Sequence, residues 1–157
     1  MPNDLTRESA SVKPVDRLKQ SAAKEIQREV VRWLNTCPDV LKPLTFEELL
    51  DDRPGMCIST VQAPYRTRKY ICGGFLAQYQ FSVIFRLQPS DDSEQLAAVE
   101  LLNQIGLWAE REFRTLDFGE HATIQSLELD NDATIFAAYE DGTRDYHITI
   151  TLNWEVI

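Results

Sequence analysis

The residues with the clearest potential for chemistry in this sequence are two glycines beside basic side chains, in the stretch Cys72–Gly73–Gly74. A glycine-rich turn can hold a phosphate when it opens a helix, because the helix N-terminus supplies backbone N–H donors. Here the glycines precede a strand-like segment, and neither the P-loop spacing nor GxGxxG occurs. We therefore interpret Gly73–Gly74 as a turn that starts a strand, and we predict no cofactor.

Nucleophilic chemistry would require a cysteine or serine beside a histidine base. The chain has two histidines, and His147 falls on the polar side of a predicted strand while His121 falls in a predicted loop. Nothing in the sequence positions either as a base, and no GxSxG elbow occurs. We predict no catalytic residue. The cysteines are widely spaced and outside any CxxC pattern, which favours buried free thiols: Cys37, Cys57 and Cys72.

Neighbouring carboxylates occur mainly in the second half of the chain, at 91–92, 130–132 and 140–141. The segment Asp130–Asn131–Asp132 superficially resembles a DxD motif, but the rest of a calcium-binding loop is missing. Turn and helix-capping chemistry accounts for these acids without an ion. We predict no metal site.

One basic cluster contains an aromatic residue, and it lies in the segment 65–69. Its members could contact a phosphate backbone or an acidic face of a neighbouring subunit, and the plain alternative is a solvated loop beside an edge strand. We take it as a candidate contact surface for a subunit or partner: Tyr65, Arg66, Arg68 and Lys69.

The first half of the chain should supply one helix and a short strand before the glycine turn. Apolar residues spaced by three and four predict a helix from about Asp16, as its N-cap, to Leu34. Thr45 and Glu48 have capping-box spacing, which predicts a short helical turn over 45–50. We predict a strand over 56–62, a polar loop over 63–68, and a short strand over 69–72.

The second half alternates more regularly. Strict period-two alternation predicts long strands over 75–87 and 145–157, each with one buried face. A wide apolar stripe predicts a helix over about 93–113, capped by Ser90 or Asp91, and Gly106 inside it suggests close packing. Two further strands should flank the turn at 130–132.

This order of elements predicts an α+β fold, with an antiparallel or mixed sheet and two helices packed on one face. Residues 16–157 should form one domain, because 157 residues suit a single core. Residues 1–15 are polar and contain Ser and Pro, which predicts a disordered lead-in. They have no apolar stretch typical of a signal peptide, so we expect an intracellular protein.

Charge is distributed unevenly along the chain. Residues 1–89 hold 13 Lys and Arg against 10 Asp and Glu, whereas residues 90–157 hold 3 against 15, so +3 and −12 give the net −9. An acidic chain of this kind does not suit tight nucleic-acid binding, which needs a basic footprint. No apolar run approaches the roughly 20 residues of a membrane span. The asymmetry is compatible with self-assembly, but the sequence alone favours the simpler interpretation, an acidic surface that only maintains solubility.

The stretch KYICGG–FLAQYQFSVIFRL resembles a family of small tailed-phage and prophage proteins, the minor capsid and tail-terminator or tail-completion proteins. The shared pattern is an aromatic and glycine turn (Tyr70, Gly73, Gly74), then a long strand with Phe81 and Arg86. A helix with an acidic start follows, and two or three strands close the chain. The order of elements agrees over about residues 17–157, and individual residues over about 70–112.

The resemblance implies a tail-terminator-like fold and a role in assembly. Members of this family form rings, commonly hexameric, on the end of the tail tube and present a face to the head–tail connector. The implied partners are further copies of the chain, the tube protein and connector proteins, with no membrane and no specific nucleic acid. The implied location is the virion tail or head–tail junction, after assembly in the cytoplasm of the host bacterium. Two alternatives remain open, a small-molecule-binding α+β domain and an unrecognised hydrolase.

Overall fold

Two helices and a six-stranded sheet make up the part of the chain that the structure describes. The computed structural model describes residues 20–42, 44–49 and 54–157. The helices are α1 (Gln20–Leu34) and α2 (Asp92–Glu112), and a 3₁₀ turn, Phe113–Thr115, follows α2. The strands are β1 (Thr45–Phe46), β2 (Gly55–Lys69), β3 (Phe75–Leu87), β4 (Ala122–Leu129), β5 (Thr134–Ala138) and β6 (Arg144–Val156). The predicted α+β class is confirmed.

The sheet is mixed, with one parallel pair. The strand order is β1-β2-β3-β6-β4, and β5 also pairs with β6. β1 runs parallel to β2, and the other neighbours are antiparallel. β4 pairs with the end of β6 and β5 with its start, so these two strands lie end to end along one edge. The turn at 130–132 therefore joins two strands that do not pair with each other.

The core lies between the helices and one face of the sheet. The odd-numbered residues of β3 and the even-numbered residues of β6 point into it, as the alternation predicts, and Tyr79, Phe81, Ile150 and Leu152 are fully buried. The two helices meet through Trp33 and Trp108, whose rings are 4.8 Å apart. α2 begins as predicted, since the Asp91 carboxylate accepts a hydrogen bond from the Glu94 N–H.

Three predictions about the first half are wrong. Residues 63–68 are not a loop, because β2 continues through Pro64 to Lys69. Residues 70–74 form the turn into β3, so the strand predicted over 69–72 does not exist. Thr45–Phe46 is a strand and not a helical turn; the Thr45 hydroxyl donates to the Glu48 carbonyl, and Glu47 has a φ of 62°. The predicted start of α1 at Asp16 and the lead-in 1–15 lie outside the described residues.

The glycine turn is confirmed. Gly73 has a φ of 100°, the left-handed region that glycine adopts at no steric cost. A Cβ on Gly74 would lie 2.5 Å from the carbonyl oxygen of Val156. The second glycine is therefore required by close approach to the end of β6.

Candidate functional site

The predicted basic cluster lies at the far end of β2, on the edge of the sheet. Its register with β3 divides it between the two faces, because residues directly opposite each other share a face. Tyr65 lies opposite Gln78 and Arg68 opposite Leu76, away from the helices, whereas Arg66 lies opposite Ala77 on the core side. Lys69 lies opposite Phe75, on the same side as Arg66. The structure thus brings the four residues to one corner of the sheet without placing them on a common face.

Their contacts also differ. The Arg66 guanidinium lies 4.3 Å from the centroid of the Phe75 ring, a cation–π contact that half-buries it. The Tyr65 hydroxyl donates to Oε1 of Gln78 at 3.1 Å. Arg68 and Lys69 are solvent-exposed. Arg66 and Tyr65 therefore hold the strand in place, and Arg68 and Lys69 give the corner its accessible positive charge.

The face of the sheet away from the helices carries a chain of side-chain hydrogen bonds across four strands. It starts at Tyr65 and Gln78, and Nε2 of Gln78 donates to Oδ1 of Asn153 at 3.1 Å. Nδ2 of Asn153 then donates to the hydroxyl of Ser126 at 3.0 Å. Alternation predicted polar residues here, but only the strand order shows that they bond to one another. The result is a rigid polar surface.

Asp130 is a further member of this surface. Its Oδ2 accepts from Nε2 of Gln80 at 2.9 Å and from the hydroxyl of Thr151 at 2.6 Å. Hydrogen bonds thus occupy the carboxylate that the DxD-like segment offered to an ion. Within the described ranges no group of three histidine, cysteine or acidic residues could hold a metal ion.

A buried ion pair closes the other end of the polar face. Asp145, only 2% exposed, accepts from Nε of Arg86 at 2.7 Å and from Nη2 at 2.9 Å. The hydroxyl of Tyr139 donates to the same carboxylate at 2.9 Å, which raises the pKa of Tyr139. The pair joins β3 to β6 beside the β5–β6 turn. Its satisfied geometry indicates a structural clasp rather than a reactive group.

The three cysteines differ in their exposure to solvent. Cys37 and Cys57 are buried as predicted, but Cys72 is exposed in the turn before β3, which corrects that prediction. Burial raises the pKa of Cys57 to about 11, so this thiol stays protonated at neutral pH and is a poor nucleophile. Burial lowers the pKa of His147, whose ring packs 4.8 Å from that of Phe136.

Acidic side chains lie at the edge of the sheet opposite the basic cluster. The segment 122–142, which contains β4 and β5, has no basic residue, and β2 has no acidic one. We call Arg66, Arg68 and Lys69 the basic corner. We call β5 and the exposed acids that flank it the acidic edge. These acids are Asp132 before the strand, and Glu140 and Asp141 after it.

A shallow groove of about 380 Å³ lies between α1 and β1. Its apolar floor is formed by Val31 and Phe46, and the rim by three basic side chains, Lys24, Arg28 and Arg32. Arg28 and Arg32 pair with acids one turn earlier in the helix, at 3.2 Å and 2.5 Å. The groove thus lies at the margin of the interface between α1 and the sheet, where Gln27 of α1 donates to the Thr60 hydroxyl of β2 at 3.2 Å.

Comparison with known proteins adds little. No protein-family model matches the chain, and no curated protein matches it. One solved structure, of a protein whose name states no function, is 12% identical, with 89% of this chain and 96% of that chain covered and a TM-score of 0.34. So weak a likeness carries no argument about fold or function. No helix in the described part of the chain is long and apolar enough to cross a membrane.

Proposed function

We propose that the protein is a structural component of a tailed phage or prophage, a tail terminator or head–tail joining (minor capsid) protein that assembles as a ring on the tail tube. Its partners are further copies of itself, the tube protein and the connector. Its work is done by surfaces rather than by catalysis. It acts at the virion tail or head–tail junction, after assembly in the bacterial cytoplasm.

The observation that carries the proposal is the separation of charge between two opposite edges of the sheet. β2 and the β4–β5 edge are separated by β3 and β6, so the basic corner and the acidic edge point away from each other. A ring needs two different patches on each subunit, each complementary to the other. Charges on opposite sides of one rigid sheet meet that requirement.

The polar face supports the same proposal. Hydrogen bonds from Tyr65 through Gln78 and Asn153 to Ser126 fix the side chains of that face in one arrangement. A subunit that must present the same surface in every copy of a ring benefits from such rigidity, because less side-chain entropy is lost on contact.

The proposal is tested with the tail tube protein of the phage or prophage that carries this gene. Tube protein is polymerised with and without this chain, and tube lengths are measured by electron microscopy. A terminator shortens the length distribution and is found at one end of the tubes, whereas a head–tail joining protein binds the end of finished tubes without shortening them. Unchanged tube lengths with no bound chain would reject the proposal.

The groove on α1 favours one second candidate, a small-molecule-binding domain. Its apolar floor and basic rim would suit an amphipathic anion. Thermal unfolding is measured with a panel of fatty acids and aromatic carboxylates, using Val31→Asp as the matched variant. Stabilisation of the natural chain alone would support this candidate, and no stabilisation by any ligand would remove it.

A further inference from the structure

The β5 strand forms an open edge with apolar side chains. Among the described residues its one strand partner is β6, so the backbone groups on its outer side are unpaired by any other strand. Ile135 and Phe136 are 49% and 55% exposed. A short edge strand with exposed apolar residues and without proline or charge is a surface suited to contact with another protein.

Helix α2 extends this surface. Asn103 accepts a hydrogen bond from the backbone N–H of Ala133 at 2.9 Å, which holds one side of the helix beside the start of β5. Leu96 and Leu107 lie seven residues before and four residues after Asn103, so the 3.6-residue period places them on that same side. Both are exposed, Leu96 to 65%. The apolar surface therefore continues from Ile135, on the helix side of β5, onto α2, whereas Phe136 lies on the other face of the strand against His147.

The end of the β2–β3 hairpin has matching chemistry. Ile71 is fully exposed at the turn, and Arg68 and Lys69 precede it on β2. The hairpin end thus combines one prominent apolar side chain with positive charge. The acidic edge combines apolar side chains with the carboxylates of Asp132, Glu140 and Asp141. The exposed carboxylates of one surface can therefore face the exposed cations of the other, although Arg86 and Arg144 also lie beside the acidic edge.

The two surfaces of one molecule cannot meet. Arg68 lies opposite Leu76, which lies opposite Glu155, whereas Ile135 lies opposite Tyr146. From Tyr146 to Glu155 is nine steps along β6, or about 30 Å at roughly 3.3 Å per residue. Two intervening strands add to this separation. Contact between these corners requires a second molecule.

We propose that the β2–β3 hairpin end of one copy, Arg68–Cys72, docks against the β5 edge of a second copy. Ile71 packs on the apolar surface formed by β5 and α2, and Arg68 and Lys69 approach the flanking carboxylates. The inference deepens the proposed function, since it identifies the subunit contact within the ring, and it rests on that function for its biological setting.

The alternative of pairing two β5 strands is disfavoured by charge. In an antiparallel, two-fold pair the Asp132 end of one strand would lie beside the Glu140 and Asp141 end of the other. Like charges placed together oppose such a contact. The hairpin end of a second copy brings opposite charge to the same place, and a contact between two different surfaces can repeat from copy to copy.

A charge-swap mixture tests the contact. Arg68→Glu and Glu140→Lys are prepared separately, and mass is measured by light scattering across concentration and salt. Each variant alone should associate about tenfold or more weakly than the natural chain. An equal mixture should recover assembly, because the new Glu at 68 faces the new Lys at 140 and the natural Arg68 faces the natural Glu140.

Two matched variants control for net charge. Lys42→Glu and Glu48→Lys make the same charge changes at exposed positions that belong to neither surface. Both should assemble as the natural chain does. The native Cys72 gives a second readout, since a thiol introduced through Glu140→Cys should form a disulfide with Cys72 of another copy on oxidation by air, while Glu48→Cys should not.

The outcomes separate this inference from the proposed function. If the single variants assemble as the natural chain does, or if the mixture does not restore assembly, the subunit contact lies elsewhere and the inference is overturned. The proposed function would still stand if the natural chain caps tubes. A chain that stays monomeric and forms no bridge between Cys72 and position 140 would also overturn it. Recovery in the mixture, with tube lengths unchanged and no chain bound to the tubes, would support the contact and reject the tail assignment.

Discussion

The two edges of the sheet are built in opposite ways. Along β2, β1 pairs with Cys57 and Ile58 only, and the Glu47 carboxylate accepts the next N–H, that of Thr60, at 2.6 Å. Beyond this point Pro64, three register shifts and the basic residues interrupt the strand. β5 has one register shift, and no proline and no charge between Thr134 and Ala138.

This difference determines which edge can bind a partner through backbone hydrogen bonds. Proline, bulges and lysine or arginine are the features that keep an edge strand from pairing with others. β2 therefore offers its side chains to a partner, while β5 keeps both backbone groups and apolar side chains accessible. A molecule with one edge of each kind can bind head to tail and still avoid uncontrolled pairing of like edges.

The largest effect is expected from Arg86→Ala, which removes the clasp beside the β5 edge. The change leaves the buried carboxylate of Asp145 without its cation, and breaking such a pair costs about 3 kcal/mol or more of unfolding free energy. Chemical denaturation measures the loss. Arg111→Ala, at an exposed position, should change stability by about 0.5 kcal/mol or less. Equal effects of the two changes would contradict the structural role of the pair.

Gly74→Ala should destabilise the turn beside the basic corner. The new Cβ would meet the backbone carbonyl of Val156 at 2.5 Å, and backbone cannot move aside easily, so we expect a loss of about 2 kcal/mol. Gly106→Ala is the control, because its Cβ would meet a methyl group of Leu129 at 3.1 Å, which a side chain can relieve. Thermal unfolding compares the two, and a Gly74→Ala protein as stable as the natural one would refute the close approach.

Low pH should reduce the stability of the folded protein through protonation of His147, whose ring packs against Phe136 of β5. Burial lowers the folded-state pKa of His147 below its unfolded value of 6.5. The unfolded chain therefore takes up the proton first. Stability is unaffected above about pH 6.5 and is lost as the pH falls from there through the lower folded pKa. The midpoint of thermal unfolding between pH 8 and pH 5 should fall less steeply in His147→Phe, with His121→Gln as the histidine control; identical slopes in all three proteins would contradict this.

The smallest effect on stability is expected from Pro64→Ala, which tests the protection of the β2 edge. The change restores a backbone N–H to an edge strand, so unfolding free energy should change by about 1 kcal/mol or less. Association should nevertheless become less specific, with larger species at high concentration. Light scattering after concentration measures this, and a variant as monodisperse as the natural chain would show that proline does not guard this edge.

The elements with one continuous buried face could be predicted from the sequence. β3 and β6 alternate without interruption, and α2 has both a capping aspartate and an apolar stripe, so pattern and burial agree. The second half of β2 could not, because its core-facing side carries Pro64 and Arg66 and its register shifts break the alternation. β1 was missed because two residues paired to a distant strand leave no periodic signal.

The surfaces divide in the same way. The sequence alone determined the α+β class, the glycine turn, the position of the basic cluster and the separation of charge between the two halves of the chain. Only the tertiary structure decided that the basic corner and the acidic edge lie on opposite sides of the sheet, because β4 and β5 both pair with β6 while β2 lies beyond β3. It also decided that Tyr65 and Arg66 are anchored and that Ile71 and Phe136 are exposed. Strand order joins residues far apart in the chain, and local patterns of polarity carry no record of which strands become neighbours.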